Sequence, residues 1–549
     1  FDALQSALYA QDTWTLNPKL TLTLGVRADN SRFLKDNAYA PAVDSAYGPT
    51  KTAKGALQFS PRFGFNYDVT GDQINQLRGG IGLFVGTPPG VWMENAYVDN
   101  GAIRAVLTCG PAQSSPDPAP AFNADASGIS TCGNGRGSKP IGNLSFLDED
   151  LKFPQPMRAN LAFDRVLPFN LVATIEGLYS RTLNQLFFVN RNITAPVGTD
   201  KFGRVMYGTI ATTGISSAAR PAGVLANGGT SRFASAIEAT NQNEDYAYNL
   251  TGQLRKRYAN NWEAYFAYSY GKARDVQSFT SSTHLSNWNF GRTLSGRQED
   301  AFTGISLFDQ PHKISAFATR TVPWTGLSRV LGSWASGLAT DFTVSYQGVS
   351  GPPHDYVYGG SSNRGDMNAD GSAGNDLIYI PRNTSDINEI RFQNLTASVG
   401  DTLKAADQAA YLEQLISLSP CLNGHRGEIL PRNSCRLPWS NNFDVTVRQN
   451  VPLVRSSERL AIQLDIFNFG NLLNKNWGQA KVSPYSSRSN IPLLTHISQS
   501  STDPANAVPT VTFNYRTIDP DKDGTVEPYL LGNFVSNYWR MQLSARVSF

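Results

Sequence analysis

The chain closes on YWRMQLSARVSF, residues 538–549. Trp539, Met541, Leu543, Ala545, Val547 and Phe549 are apolar, and Arg540, Gln542, Ser544, Arg546 and Ser548 are polar or charged. A period of two places alternate side chains on opposite faces of an extended strand. One face of this strand therefore meets an apolar medium and the other a polar one.

The same alternation recurs along the chain. LTLTLGVRAD sets Leu20, Leu22, Leu24 and Val26 against Thr21, Thr23 and Arg27. RFGFNYDV sets Phe63, Phe65, Tyr67 and Val69 against Arg62, Asn66 and Asp68, and QLRGGIGLFVG sets Leu77, Ile81 and Leu83 against Arg78. YNLTGQLRK sets Tyr248, Leu250 and Leu254 against Thr251, Gln253 and Arg255. FDVTVRQ, which carries Arg448, and RLAIQLDIFNF continue the pattern near the C-terminus. About thirteen segments read this way, each close to the ~9–11 residues a tilted strand needs to cross a bilayer. Asp12 departs from the pattern, in phase with Leu8, Ala10, Trp14 and Leu16. DTLKAADQAAYLEQLISL, 401–418, is the one stretch with helical periodicity and reads as a loop helix.

Short and long connections alternate between these segments. NPK, TGDQ, LPFN, YANN and VPLVRSSE are short. Segments near 30–56, 87–156, 182–245, 272–311, 350–440 and 470–537 are long and rich in Gly, Pro, Asn and Ser. Loops of that length are uncommon inside compact soluble domains. Short turns at one end and long loops at the other are the layout of an outer-membrane β-barrel. Closure is what allows a sheet to span, because hydrocarbon offers no partner to a free N–H or C=O. The expected fold is an all-β, antiparallel transmembrane barrel region covering 1–549, with long extracellular loops.

Composition fits this reading and excludes others. A net charge of +3 over 549 residues, without a basic block, argues against a nucleic-acid partner. No apolar run approaches the ~18 residues of a spanning helix. FDALQSALYAQDTW lacks the basic and apolar regions of a signal peptide, so the chain is expected to be a mature fragment. No GxSxG, HExxH, Walker A or GxGxxG motif is present, so no enzyme activity and no required cofactor is expected. His284, His312, His354, His425 and His496 show no ligand spacing and read as ordinary loop or rim residues. Trp288, Trp324 and Tyr356 lie in connections and read equally as ligand-mouth or rim aromatics.

The quoted runs, together with SPRFGFNYDVTGD, DMNADGSAGNDLIYIP, IQLDIFNFGNLLN and the terminal Phe549, resemble the barrel region of TonB-dependent outer-membrane receptors, and more closely their Oar-like branch. The resemblance spans nearly the whole chain and keeps the family's segment order. It implies the C-terminal portion of a 22-stranded barrel, with first strands, plug and TonB box upstream. It implies residence in the bacterial outer membrane and contact with its lipid. It further implies energisation by the TonB complex through the N-terminal region, and import of a ligand captured by the outer loops. Phe549 resembles the terminal aromatic read by the barrel-assembly machinery. Arg78, Arg255, Arg448, Arg540 and Arg546 are expected to face the lumen, meeting the plug or path, or simply water. A non-transporting surface protein on the same barrel, serving adhesion, surface organisation or secretion, is the alternative function. A soluble all-β protein is the third.

Two further features carry chemistry. Cys109 and Cys132 share one polar segment and Cys421 and Cys435 another, without CxxC spacing. Close pairing in polar loops favours two local disulfides over four reduced thiols. DMNADGSAGND places Asp366, Asn368 and Asp370 at alternate positions before Gly371, with Asp376 following. DPDKDGTVE repeats this with Asp519, Asp521, Asp523, Gly524 and Glu527. Such a run curls oxygen ligands around Ca²⁺. Leu377 and Leu530 stand where an EF-hand has its bidentate Glu, so the competing reading is two Asx-rich surface turns.

Overall fold

The computed structural model describes residues 2–548 apart from 38, 49–51, 102–108, 111–116, 126–128, 130, 136–141, 226–232, 325, 327–329, 331, 333–336, 361–362, 397–401, 453–458, 485–489 and 520–522. Phe549 and Asp521 therefore lie outside the described residues.

Thirteen strands form one antiparallel wall. They are β1 (Ala3–Asn17), β2 (Leu20–Phe33), β3 (Leu57–Asp68), β4 (Asn75–Leu83), β5 (Gln155–Leu167), β6 (Leu171–Leu183), β7 (Tyr246–Ala259), β8 (Trp262–Asp275), β9 (His312–Pro323), β10 (Ala339–Val349), β11 (Ser440–Pro452), β12 (Arg459–Phe467) and β13 (Arg540–Ser548). Each pairs with the next in chain order. Among the described residues, no ladder joins β13 to β1. Consecutive antiparallel neighbours force the connections to alternate between the two ends. One end holds tight turns such as Asn260–Asn261, both at positive φ, a conformation that suits a two-residue hairpin. The other end holds the six long connections. No described helix is long and apolar enough to cross a membrane.

Register keeps like residues on one face. Leu24 pairs with Phe63 and Phe63 with Ile81. At the far end Val344, Val445, Ile466 and Met541 stand in line. Side chains along this face are not covered by protein: Ile81 is 49%, Met541 54% and Ile175 62% exposed. An apolar surface this continuous requires an apolar solvent. The opposite face is hydrogen-bonded and polar. Thr321 Oγ1 donates to Asp341 at 2.7 Å, Thr446 Oγ1 to Asp465 at 2.6 Å, and Arg78 Nε to Asp164 at 2.9 Å.

Asp12 stands on the apolar face opposite Leu24. The Trp14 indole N–H donates to its carboxylate, and the Thr13 backbone N–H donates at 2.8 Å. The charge is thus capped by an aromatic near the tight-turn end, where interfacial tryptophan belongs. Lys256, also on the apolar face, lies near its turn with Nζ 4.6 Å from the centre of the Trp262 ring.

The buried core lies elsewhere. Strands 143–147, 185–190 and 235–242 form a three-stranded sheet in the long connections. Strands 353–359, 490–499 and 509–512, extended by 391–392 and 435–436, form a five-stranded one. The expected loop helix spans Ala405–Leu418 and buries Gln408, Ala409, Leu412, Leu415 and Ile416, one helical face. Tyr356, Tyr358, Ile378, Leu415 and Phe513 pack in one cluster, and Met93, Leu186, Phe188, Ile237 and Trp288 in another. The long connections thus fold into a cap with its own hydrophobic cores.

Candidate ligand site in the outer cap

Each half of the cap is tied by polar contacts that span long stretches of sequence. Arg204 is 2% exposed and its Nη1 donates to Asp376 at 2.9 Å and to the Leu294 carbonyl at 3.2 Å, while Nη2 donates to the Leu377 carbonyl. In the other half, Trp92 Nε1 donates to the Ser281 carbonyl at 2.8 Å across 189 residues, and Trp288 Nε1 donates locally to Gln298 at 2.9 Å. Trp288 and Tyr356 are buried, and Trp324 sits at the tight-turn end, bonded to Thr340. None of the three lines a ligand mouth. His284, His354 and His496 lie in the long connections, where they are buried. Burial holds His284 and His354 down to about 4.

A cleft of about 760 Å³ opens between four cap segments. Ser281 and Phe290 form one side, Gly359 and Gly360 a second, Gly374 a third, and Asn490 with Pro492 a fourth. Asn490 Nδ2 donates to the Phe290 carbonyl at 3.3 Å and the Gly374 carbonyl at 3.5 Å, which fixes three of these segments together. Glycine at 359 is required by close approach, since a Cβ there would stand 2.9 Å from Pro492 Cβ. Hydroxyls, the Asn490 amide and main chain share the surface with Val357, Ala373, Pro492 and the 44%-exposed Phe290 ring, so it is more apolar than polar. Its described lining holds no charged side chain.

The loop of Asp366, Asn368, Asp370 and Asp376 adjoins this cleft through Gly374. These four side chains are all buried. Asp366 accepts the backbone N–H of Asp370 at 3.0 Å and of Gly371 at 2.9 Å, and the Ser216 hydroxyl at 2.7 Å. Burial raises the Asp366 carboxyl well above the usual carboxylate range, and the charges of Asp370 and Asp376 raise it further. Burial likewise raises Asp370. Asp376 is pushed up to about 7 by burial, against the pull of Arg204. The reading of this segment as a solvated surface turn is therefore overturned.

The second acidic loop repeats the local turn but not the burial. Asp519 accepts the N–H of Asp523 at 3.0 Å and of Gly524 at 3.3 Å. Asp519 is buried, with Tyr411 donating to it at 3.0 Å, whereas Asp523 and Glu527 are exposed.

Cys109 bonds to Cys132 and Cys421 to Cys435, so both local disulfides form. Arg78, Arg255, Arg448, Arg540 and Arg546 stand on the polar face of β4, β7, β11 and β13, and are spread round the wall without forming one site. Arg78 also approaches Glu176 at 3.6 Å, and Arg540 lies 5.4 Å from the centre of the Phe467 ring. Arg204, Phe290 and Asn490 were not legible as site residues. Each sits in a long connection without periodicity.

A family model described as an outer membrane beta barrel domain matches residues 1–504. The chain belongs to that family. The barrel resides in the bacterial outer membrane, and its exposed apolar face meets the lipid. Among solved structures it is similar to the outer membrane transporter YddB from Escherichia coli, at 13% identity over 89% of this chain and 43% of that one, with a TM-score of 0.41. It is also similar to the ferric enterobactin receptor PfeA from Pseudomonas aeruginosa, at 12% identity over 93% and 44%, with a TM-score of 0.38. A third is the siderophore receptor PirA from Acinetobacter baumannii, at 11% identity over 84% and 41%, with a TM-score of 0.37. The chain thus spans under half the length of each of these structures. No curated protein matches it.

Proposed function

We propose that this barrel is the ligand-capturing, membrane-spanning part of a TonB-dependent receptor of the Oar-like branch. In the full-length protein, further strands complete the wall, a plug fills it, and the TonB complex drives import. The barrel-assembly machinery inserts it, reading the Phe549 end. The observation that carries the receptor reading is the cap: long connections folded round a cleft, standing over a wall whose inner face is polar. A surface protein that only needs anchoring has no use for a walled cleft above such a face.

The lining, apolar with a few hydroxyls and one amide, favours a neutral ligand that combines apolar faces with hydroxyl or amide groups, such as an oligosaccharide or an uncharged peptide. A charged chelate would find no counter-charge among the described lining residues, and burying an unpaired charge is costly. Full-length protein in detergent is titrated calorimetrically with maltoheptaose, an uncharged pentapeptide and a ferric tris-catecholate. A neutral probe is expected to bind, and Phe290→Ala and Asn490→Ala to weaken it by about tenfold each, the 1.4 kcal/mol of one aromatic contact or hydrogen bond. Binding of the ferric complex alone, or affinity indifferent to both substitutions, would overturn the cleft assignment. Uptake of the bound probe by cells should stop when the proton gradient is collapsed. Uptake that continues refutes TonB-driven import.

A further inference from the structure

We propose that the buried loop 366–376 binds one Ca²⁺, with Asp366, Asn368, Asp370 and Asn375 as its side-chain oxygen donors. The proposal does not rest on the receptor reading.

The first observation is a charge imbalance. Asp366, Asp370 and Asp376 are each at most 1% exposed. Two arginines approach them. Arg204 is bound to Asp376, and Arg220 Nη2 lies 3.1 Å from where a Cβ on Gly371 would stand, while its Nη1 donates to the Asn192 carbonyl at 2.6 Å. Three buried carboxylates thus face two guanidinium groups. A buried charge is retained only when paired or bound to a metal.

The second observation is independent of the first. Asn375 is fully buried, and its Oδ1 has no hydrogen-bond partner. Its amide group lies against Asp370, with Nδ2 3.3 Å from Asp370 Oδ2. Asn368 Nδ2 approaches the same oxygen at 3.2 Å. A half-turn of the Asn375 amide brings its orphaned oxygen to face Asp370, a geometry that a cation between the two would favour. Ser372, 2% exposed, holds a second unpartnered oxygen on the next turn of the loop.

The donor set selects the metal. Among the described residues, no group of three or more His, Cys, Asp or Glu side chains could hold a metal alone. Amide and main-chain oxygens must therefore complete the shell. Hard oxygen donors suit Ca²⁺, which takes six to eight of them, and disfavour zinc and copper. Because Gly374 walls the ligand cleft, the ion would also set the position of that wall. Loop 519–527 serves as an internal control, since it makes the same turn with exposed Asp523 and Glu527.

The test uses the full chain purified in detergent, stripped with EGTA and titrated with Ca²⁺ by calorimetry and with Tb³⁺ by luminescence. One site is expected, with a dissociation constant on the order of 10⁻⁴–10⁻³ M or tighter, the range of extracellular sites. Asp370→Asn and Asn375→Leu should each weaken it by at least about tenfold, the first by removing a ligand charge and the second by removing an amide oxygen donor. Asp523→Asn should leave it unchanged. No heat and no luminescence up to about 10 mM ion, or binding lost in Asp523→Asn but kept in Asp370→Asn, overturns the site. If the Asp370 and Asn375 variants lose their heat-modifiable gel mobility, native protein is digested with and without EGTA instead. Faster cleavage within 361–376 on chelation supports the site, and an unchanged pattern overturns it.

Discussion

Replacing Ile175 by arginine tests the assignment of the two faces of the wall. Ile175 is the fifth residue of β6 and is 62% exposed. Five residues at about 3.4 Å each carry the strand about 17 Å from its turn. A tilt of about 35–45° converts this to about 12–14 Å of height, half of an apolar band about 25 Å tall. Ile175 is therefore placed at the bilayer midplane. Its ladder partners are Phe163 and Gly252, neither of which can pair with a cation by charge. Arginine at that depth costs about 2–4 kcal/mol, or about 30- to 900-fold in the folding constant. Ser345→Arg is the matched change on the polar face, where Asp444 is the ladder partner, and should cost less than about 1 kcal/mol. Both variants are unfolded with guanidinium in phosphatidylcholine vesicles and followed by tryptophan emission. Equal losses in the two variants, or a larger loss for Ser345→Arg, would refute the assignment of lipid to the Ile175 face.

Three further changes address the cap. His354 has no hydrogen-bond partner for either ring nitrogen, and burial lowers it to about 4. The unfolded chain takes up this proton near pH 6.5 and the folded one only near 4, so the group drains stability as pH falls between them. His354→Phe should gain about 2 kcal/mol relative to the parent on going from pH 8 to pH 5. Asp355, raised to about 6 by burial, pulls the other way but is common to both proteins. Identical pH slopes in the two would rule the effect out. Arg204→Met leaves Asp376 buried without its cation and should cost the cap about 3–5 kcal/mol. Hydrogen exchange along 353–359 measures this, and unchanged protection would show that the pair does not hold the cap. Cys421→Ser with Cys435→Ser opens a loop of sequence separation 14 and should release about 3 kcal/mol. Trypsin should then cut 405–436 faster while the wall keeps its heat-modifiable mobility, and cleavage at the parental rate would count against the disulfide's role.

The wall was legible residue by residue. A lipid-facing strand writes its environment into every second position, as Met541, Leu543 and Val547 do, and no distant contact is needed to read it. The alternation of tight turns with long connections fixed which end carries the cap. The two disulfides were legible because each bridges cysteines within one connection. The cap was not. Arg204 and Asp376 meet across 172 residues, and Asn490 closes on Gly374 across 116. Strands as short as 391–392 and 435–436 carry no period to detect. Glycine- and serine-rich composition looked like solvated loop because the cap's cores are built from a few apolar side chains drawn from several connections.

The two acidic loops separate the sources most clearly. The local motif alone dictates the turn, since Asp366 and Asp519 each accept the N–H groups four and five residues on through short-range geometry that any environment permits. Whether the carboxylates then meet water or protein depends on what packs over them. Ser216, Arg204 and Arg220 come from a distant connection to bury Asp366, Asp370 and Asp376, whereas Asp523 remains in solvent. Sequence determines the strand and the turn because their causes lie within a few residues. Burial, charge balance and the cleft belong to the tertiary structure because they arise between segments that meet only after folding.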